Sequence, residues 1–185
     1  MRLAENTALI LIDIQQGFDD LYYWGGGRNN PQAEEVAASL LGLWRKNSLP
    51  VIHVKHCSLD PKSLLATGNP GNEFKTLVSP LHGELVIRKC VNSAFIGTDL
   101  KENLDRQKIT HIVLVGLTTD HCVSSTARMA GNYGYQTVVV NDATATFDKT
   151  GFDGVHYSAQ VIHDTALASL NGEFATVINS YELVF

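Results

Sequence analysis

The stretch TALILIDIQ, residues 7–15, decides the fold. Its apolar residues run on without the alternation of a half-exposed strand, so both faces are expected to be buried. Such a strand belongs inside a parallel sheet with helices over each face. The chain around it agrees. Further extended segments at Pro50–His56, Glu84–Lys89, His111–Gly116, Tyr135–Asp142 and Phe174–Asn179 alternate with helical ones. The first helix is expected to open at Asn30-Pro31, a cap followed by proline in the first turn. Its apolar stripe is Ala33, Val36, Ala37, Leu40, Leu41 and Trp44. Another covers about Thr98–Arg106, a third carries Cys122 and stops at Gly134, and the last runs from about His156 to Leu170. The alternation predicts an α/β fold: a single-domain three-layer αβα sandwich over residues 1–185, with a mostly parallel, about six-stranded sheet.

Composition narrows the function classes. Hydrophobic residues make up 44% and charged residues 18%, a globular balance. A net charge of −5 without any Lys/Arg cluster argues against nucleic acid or an anionic membrane as partner. The longest apolar run is broken by Asp13 and is too short to cross a bilayer. The first residues lack a signal peptide's apolar centre and cleavage site. Cys57, Cys90 and Cys122 are odd in number and show no C-x-x-C spacing, which fits reduced thiols in a cytoplasm. G-x-G-x-x-G, Walker A and G-x-S-x-G elements are absent, so no nucleotide cofactor or serine nucleophile is expected.

In parallel sheets, ligands bind outside the carboxyl ends of the strands. Asp13 closes the first strand, Lys89 closes the third, and Cys122 follows the fourth, so all three can face one crevice. An aspartate inside LILIDIQ is costly unless paired or functional, although a loop-capping role is also open. A strand-end lysine can equally reach into solvent. Cys122 reads either as a buried core cysteine or as a nucleophile. In the second reading, Thr118, Thr119 or Asp120 caps its helix, and Lys89 adds positive charge. Together these would lower the thiol pKa from ~8.5 by one or more units. His121 is adjacent to Cys122 but projects in another direction on a helix, which makes it a poor base.

The pieces ALILIDIQQGF, GELVIRKCVNSAFIGTDL, VLVGLTTDHCVSSTARMAGNYGY, VVVNDATATFD and HDTALASLNGEFATV, in this order, resemble the isochorismatase-like cysteine hydrolases. That superfamily contains nicotinamidase, N-carbamoylsarcosine amidohydrolase and streptothricin hydrolase. The resemblance implies a catalytic triad of Asp13, Lys89 and Cys122. It also implies a cis peptide between Leu117 and Thr118, with the backbone N–H groups of Thr118 and Cys122 as an oxyanion hole. The implied activity is cleavage of a small amide, possibly cyclic, or a related ester through a Cys122 thioester. Homodimers or homotetramers and a small-molecule substrate are implied as well. Isochorismatases that cleave a vinyl ether lack the cysteine, so Cys122 weighs against that reaction. Nicotinamidases carry an Asp-x-His element that binds a metal. Here VIHVKHCSLDP has His53 and His56 but no such element, and the two alternate across a strand, so no metal is expected.

Phe18, Tyr22 and Trp24 crowd the loop after Asp13, and Asn92 and Phe95 follow Lys89. These five are the expected pocket walls, with anchoring of the loop as the other reading of its aromatics. The glycines of LYYWGGGRNN suggest a lid. Residues 57–83 form a long loop. Trp44 and the last helix serve either an oligomer interface or the core. Two other functions stay open: a low-pKa thiol sensor, which would need Cys57 or Cys90 as a partner, and a binding domain without chemistry.

Overall fold

The structure, a computed structural model, describes residues 1–184. Every residue of β1 (Ala8–Ile12) is buried, and the period-2 geometry of a strand sends them alternately to opposite faces. Ala8, Ile10 and Ile12 join one core cluster, Leu9 and Leu11 the other. Burying each Leu or Ile contributes ~1.5–3 kcal/mol, so this strand alone ties two layers to the sheet. The chain continues through α1 (Leu21–Trp24), α2 (Ala33–Lys46), β2 (Val51–His56), β3 (Leu85–Lys89) and α3 (Leu100–Arg106). Then come β4 (His111–Leu117), a turn of π-helix at Thr119–Val123, α4 (Ser124–Asn132) and β5 (Gln136–Ala145). The short strands β6 (Lys149–Thr150) and β7 (His156–Tyr157), helix α5 (Ala159–Leu170) and strand β8 (Thr176–Ile178) follow.

Six strands pair in the order β3-β2-β1-β4-β5-β8, all parallel. On one face α2 packs Ala37, Leu40, Leu41 and Trp44 against the sheet. On the other, Leu100 and Leu104 of α3, Ala127 and Ala130 of α4, and Leu167 and Leu170 of α5 do the same. The fold is thus an α/β sandwich of three layers, with a fully parallel sheet. Strand order reverses direction between β1 and β4, the switch point at which open sheets bind ligands.

Several local expectations shift. Asn30 does not cap α2. Its side-chain amide donates to the carbonyls of Asn141 and Thr144, and the helix opens at Ala33. The last helix begins at Ala159 rather than His156, because His156 and Tyr157 pair with Lys149 and Thr150 in a hairpin. Ser158 caps it, and its buried side chains are Ala159, His163, Leu167 and Leu170. Trp44 is fully buried and donates to the Thr7 carbonyl, so it belongs to the core rather than to a surface. Residues 21–30 are tied down instead of forming an open lid. Trp24 stacks on Phe18 at 4.5 Å, its indole N–H donates to the Gly17 carbonyl, and Gly27 N–H donates to Asp148. Among the described residues, no helix is long and apolar enough to cross a membrane.

Candidate active site

Three strand ends converge. Asp13 follows β1 with a left-handed backbone, φ +51°, which aspartate tolerates better than most residues. Lys89 is the last residue of β3, and Cys122 sits in the π-turn between β4 and α4. Gly116 makes this convergence possible. Its φ is +118°, and a Cβ there would lie 2.0 Å from the Ile12 carbonyl oxygen. Only glycine lets β4 approach the end of β1 so closely. The Leu117–Thr118 peptide is cis, as the resemblance implied.

Lys89 Nζ donates to Asp13 Oδ2 at 2.6 Å and to Cys122 Sγ at 3.2 Å. It also donates to His56 Nδ1 at 3.0 Å. Asp13 and Lys89 are essentially inaccessible, and Cys122 keeps 8% of its surface exposed. Asp13 Oδ1 is buried without a hydrogen-bond partner among the described residues. Asp13, His56 and Cys122 each offer a ligand atom within 4.8 Å of the others. The ammonium of Lys89 occupies the middle of that group, where a cation would otherwise lie, so the donor set does not fit a metal. His53 lies elsewhere, with Nε2 2.8 Å from Glu84 Oε2.

The electrostatics differ from the sequence expectation at Cys122. Burial, then the Asp13 carboxylate, push its thiol well above the ordinary range, and Lys89 only partly opposes them. None of the expected caps forms. Thr119 Oγ1 bonds with His163 Nδ1 at 2.9 Å, while the Asp120 carboxylate takes the Thr146 hydroxyl and lies 3.3 Å from Lys149 Nζ. Burial and the neighbouring carboxylate thus favour the protonated thiol, the opposite of what a low-pKa sensor needs. Burial lowers the pKa of Lys89, but attraction to the Asp13 carboxylate and the hydrogen bonds to Asp13 and Cys122 outweigh it and hold the ammonium charged. His56 is kept neutral by burial and by the Lys89 cation.

A cavity of about 160 Å³ opens over Cys122. Phe18, Trp24 and Asn92 line it, with Asn92 Oδ1 3.9 Å from the sulfur. Two expected wall residues lie outside it. Tyr22 is 94% exposed on the outer side of α1, and Phe95 is packed in the core against Tyr133 and Tyr135. His56, Ser63, Leu65, Thr118, His121 and Lys149 complete the lining. Of these, His56 carried a usable signal: it ends a strand, as Asp13 and Lys89 do. Lys149 carried none, because only the hairpin of β6 and β7 brings it there. A larger cleft, about 360 Å³, lies at the amino ends of the strands but holds no cysteine and no carboxylate.

Residues 7–182 match the Isochorismatase domain family. The chain belongs to the isochorismatase family. It is 44% identical over 182 residues to the isochorismatase family protein YrdC of Bacillus subtilis, covering 98% of this chain and 96% of that one. A solved structure of an isochorismatase-family hydrolase from Chromobacterium violaceum superposes with a TM-score of 0.94 at 43% identity, covering 98% of this chain and 94% of that one. The ureidoacrylate amidohydrolase RutB of Caulobacter segnis is 31% identical over 144 residues, 78% of this chain and 55% of that enzyme. Membership of this family makes the chain a hydrolase.

Proposed function

We propose that this single-domain hydrolase cleaves a small amide, or a related ester, through a thioester on Cys122. The observation that carries the reading is the buried Lys89 ammonium, 2.6 Å from Asp13 Oδ2 and 3.2 Å from the Sγ of Cys122, which itself lines a cavity. A carboxylate, a cation and a thiol within reach of one carbonyl supply a base, charge balance and a nucleophile. The amidohydrolase among the relatives favours an amide over a vinyl ether.

In the first half-reaction Asp13 takes the thiol proton as the sulfur attacks the carbonyl carbon. This concerted transfer suits a thiol that is protonated at rest. The carbonyl π pair moves to oxygen, and the backbone N–H groups of Thr118 and Cys122 receive that oxyanion. When the carbonyl re-forms, the C–N bond breaks and the amine leaves with the proton from Asp13. In the second half, Asp13 takes a proton from water, whose oxygen attacks the thioester. The sulfur departs and regains its proton from Asp13. Lys89 balances negative charge on Asp13 and sulfur throughout. Homo-oligomeric assembly and a cytoplasmic setting complete the proposal.

The test is to incubate the protein with a panel of small amides and weigh the intact chain. An acyl adduct on Cys122 is expected for the true substrate class, and little or none in Asp13→Asn, which lacks the base for both half-reactions. Full turnover by Cys122→Ala would refute the covalent route.

A further inference from the structure

His56 is held more firmly than any step above requires. Its backbone N–H donates to Gln15 Oε1 at 2.8 Å. Its carbonyl accepts from Gln15 Nε2 at 3.0 Å and from Asn72 Nδ2 at 2.7 Å. Both amide side chains are buried, and they are connected to each other, since Gln15 Nε2 also donates to the Asn72 carbonyl at 2.7 Å. Buried amides must find partners. Here two of them find the same residue and fix the end of β2 from both sides.

The side chain is oriented just as closely. An ammonium has three protons to donate and no lone pair to accept with. The Lys89 protons face Asp13 Oδ2, Cys122 Sγ and His56 Nδ1. His56 Nδ1 is therefore an acceptor, and a neutral imidazole that accepts at Nδ1 carries its proton on Nε2. Among the described residues Nε2 has no hydrogen-bond partner, and the ring lines the cavity over Cys122.

We propose that His56 is a substrate-binding residue whose Nε2–H donates to an acceptor atom close to the scissile carbonyl. The site then selects small amides that carry a second oxygen or nitrogen acceptor, and disfavours simple aliphatic amides. The cavity, about 160 Å³, suits such a compact ligand, since it holds roughly five waters' worth of volume. This rests on the hydrolase reading above for the word substrate, but its test does not need turnover.

Two measurements decide it. Long-range ¹⁵N–¹H spectra of the resting wild-type protein are expected to show His56 protonated at Nε2 alone. Binding is then followed in Cys122→Ala with malonamide and with isovaleramide, which has the same shape but an isopropyl group in place of the second amide. Malonamide is expected to bind more tightly and to shift the Nε2 resonance. Its affinity should fall about tenfold with His56→Asn, which keeps an acceptor near Lys89 but loses the outer donor. His56→Gln, whose amide reaches the Nε2 position, should recover part of the loss. A proton on Nδ1, an imidazolium at neutral pH, no malonamide binding, or equal binding of the two probes would overturn the proposal. Failure of the hydrolase reading is seen separately, as absence of any acyl adduct on wild-type Cys122.

Discussion

Replacing Lys89 by methionine keeps most of the side-chain volume and deletes the charge. At 2.6 Å two unit charges attract by roughly 6 kcal/mol at an effective dielectric constant of ~20. Each ion also lost several kcal/mol of hydration on burial, so the intact pair is close to neutral for stability. Removing one partner is different, because the other stays desolvated. Asp13 is fully buried, and its Oδ1 has no hydrogen-bond partner among the described residues to share the load. The expected cost of Lys89→Met is therefore ~3–5 kcal/mol, a large share of the ~5–15 kcal/mol of an ordinary domain. Urea unfolding followed by circular dichroism measures it. Asp13→Asn/Lys89→Met removes both charges and should regain most of that loss, leaving the double variant more stable than the sum of the singles. A loss below ~1 kcal/mol in the single variant, or strict additivity in the double, would mean that the pair is not coupled in solution.

Other outcomes follow from the same geometry. The folded thiol of Cys122 ionises at higher pH than the unfolded one, so above ~8.5 the folded state binds more protons. Stability should fall there by up to ~1.4 kcal/mol per pH unit, and Cys122→Ser should lack that slope. Gly116→Ala should cost about 3 kcal/mol or more, since its Cβ meets the Ile12 carbonyl oxygen at a strained φ; thermal unfolding reads this directly. Asn72→Leu should cost ~1–3 kcal/mol, because it removes two buried hydrogen bonds, one of the two donors on each of the His56 and Leu65 carbonyls, and should weaken binding in the pocket as β2 loses part of its brace. Burial raises the pKa of Glu84, but Arg45, the Leu81 N–H and His53 outweigh it and hold the carboxyl at about 2. An NMR titration of Glu84 should find that value, and Arg45→Met should move it upward.

The sheet was legible because β1 is apolar on both faces, a pattern that little except a central parallel strand satisfies. Asp13, Lys89 and Cys122 stood out because parallel topology gathers strand ends whatever the intervening loops do. Loop-borne wall residues were harder. Phe18 and Trp24 line the cavity while Tyr22 points to solvent, a choice made by the short α1 helix, whose periodicity one turn cannot announce. Phe95 was drawn into the core by Tyr133 and Tyr135, residues far along the chain. The thiol's protonation was misread for a related reason. Capping chemistry is local in sequence, but the hydroxyl of Thr119 and the carboxylate of Asp120 found better partners in His163 and Thr146. His163 itself, buried on α5, is invisible to a reading that looks only for apolar stripes.

The positive φ of Asp13 limits what can stand at the end of β1 in a second way. Asparagine and aspartate enter that region of backbone space with little penalty, and branched or longer side chains do not. Geometry thus favours glycine, asparagine and aspartate at this position, and of these only aspartate can transfer a proton. Asparagine makes a clean knockout there, whereas alanine or glutamate would disturb the chain path along with the chemistry.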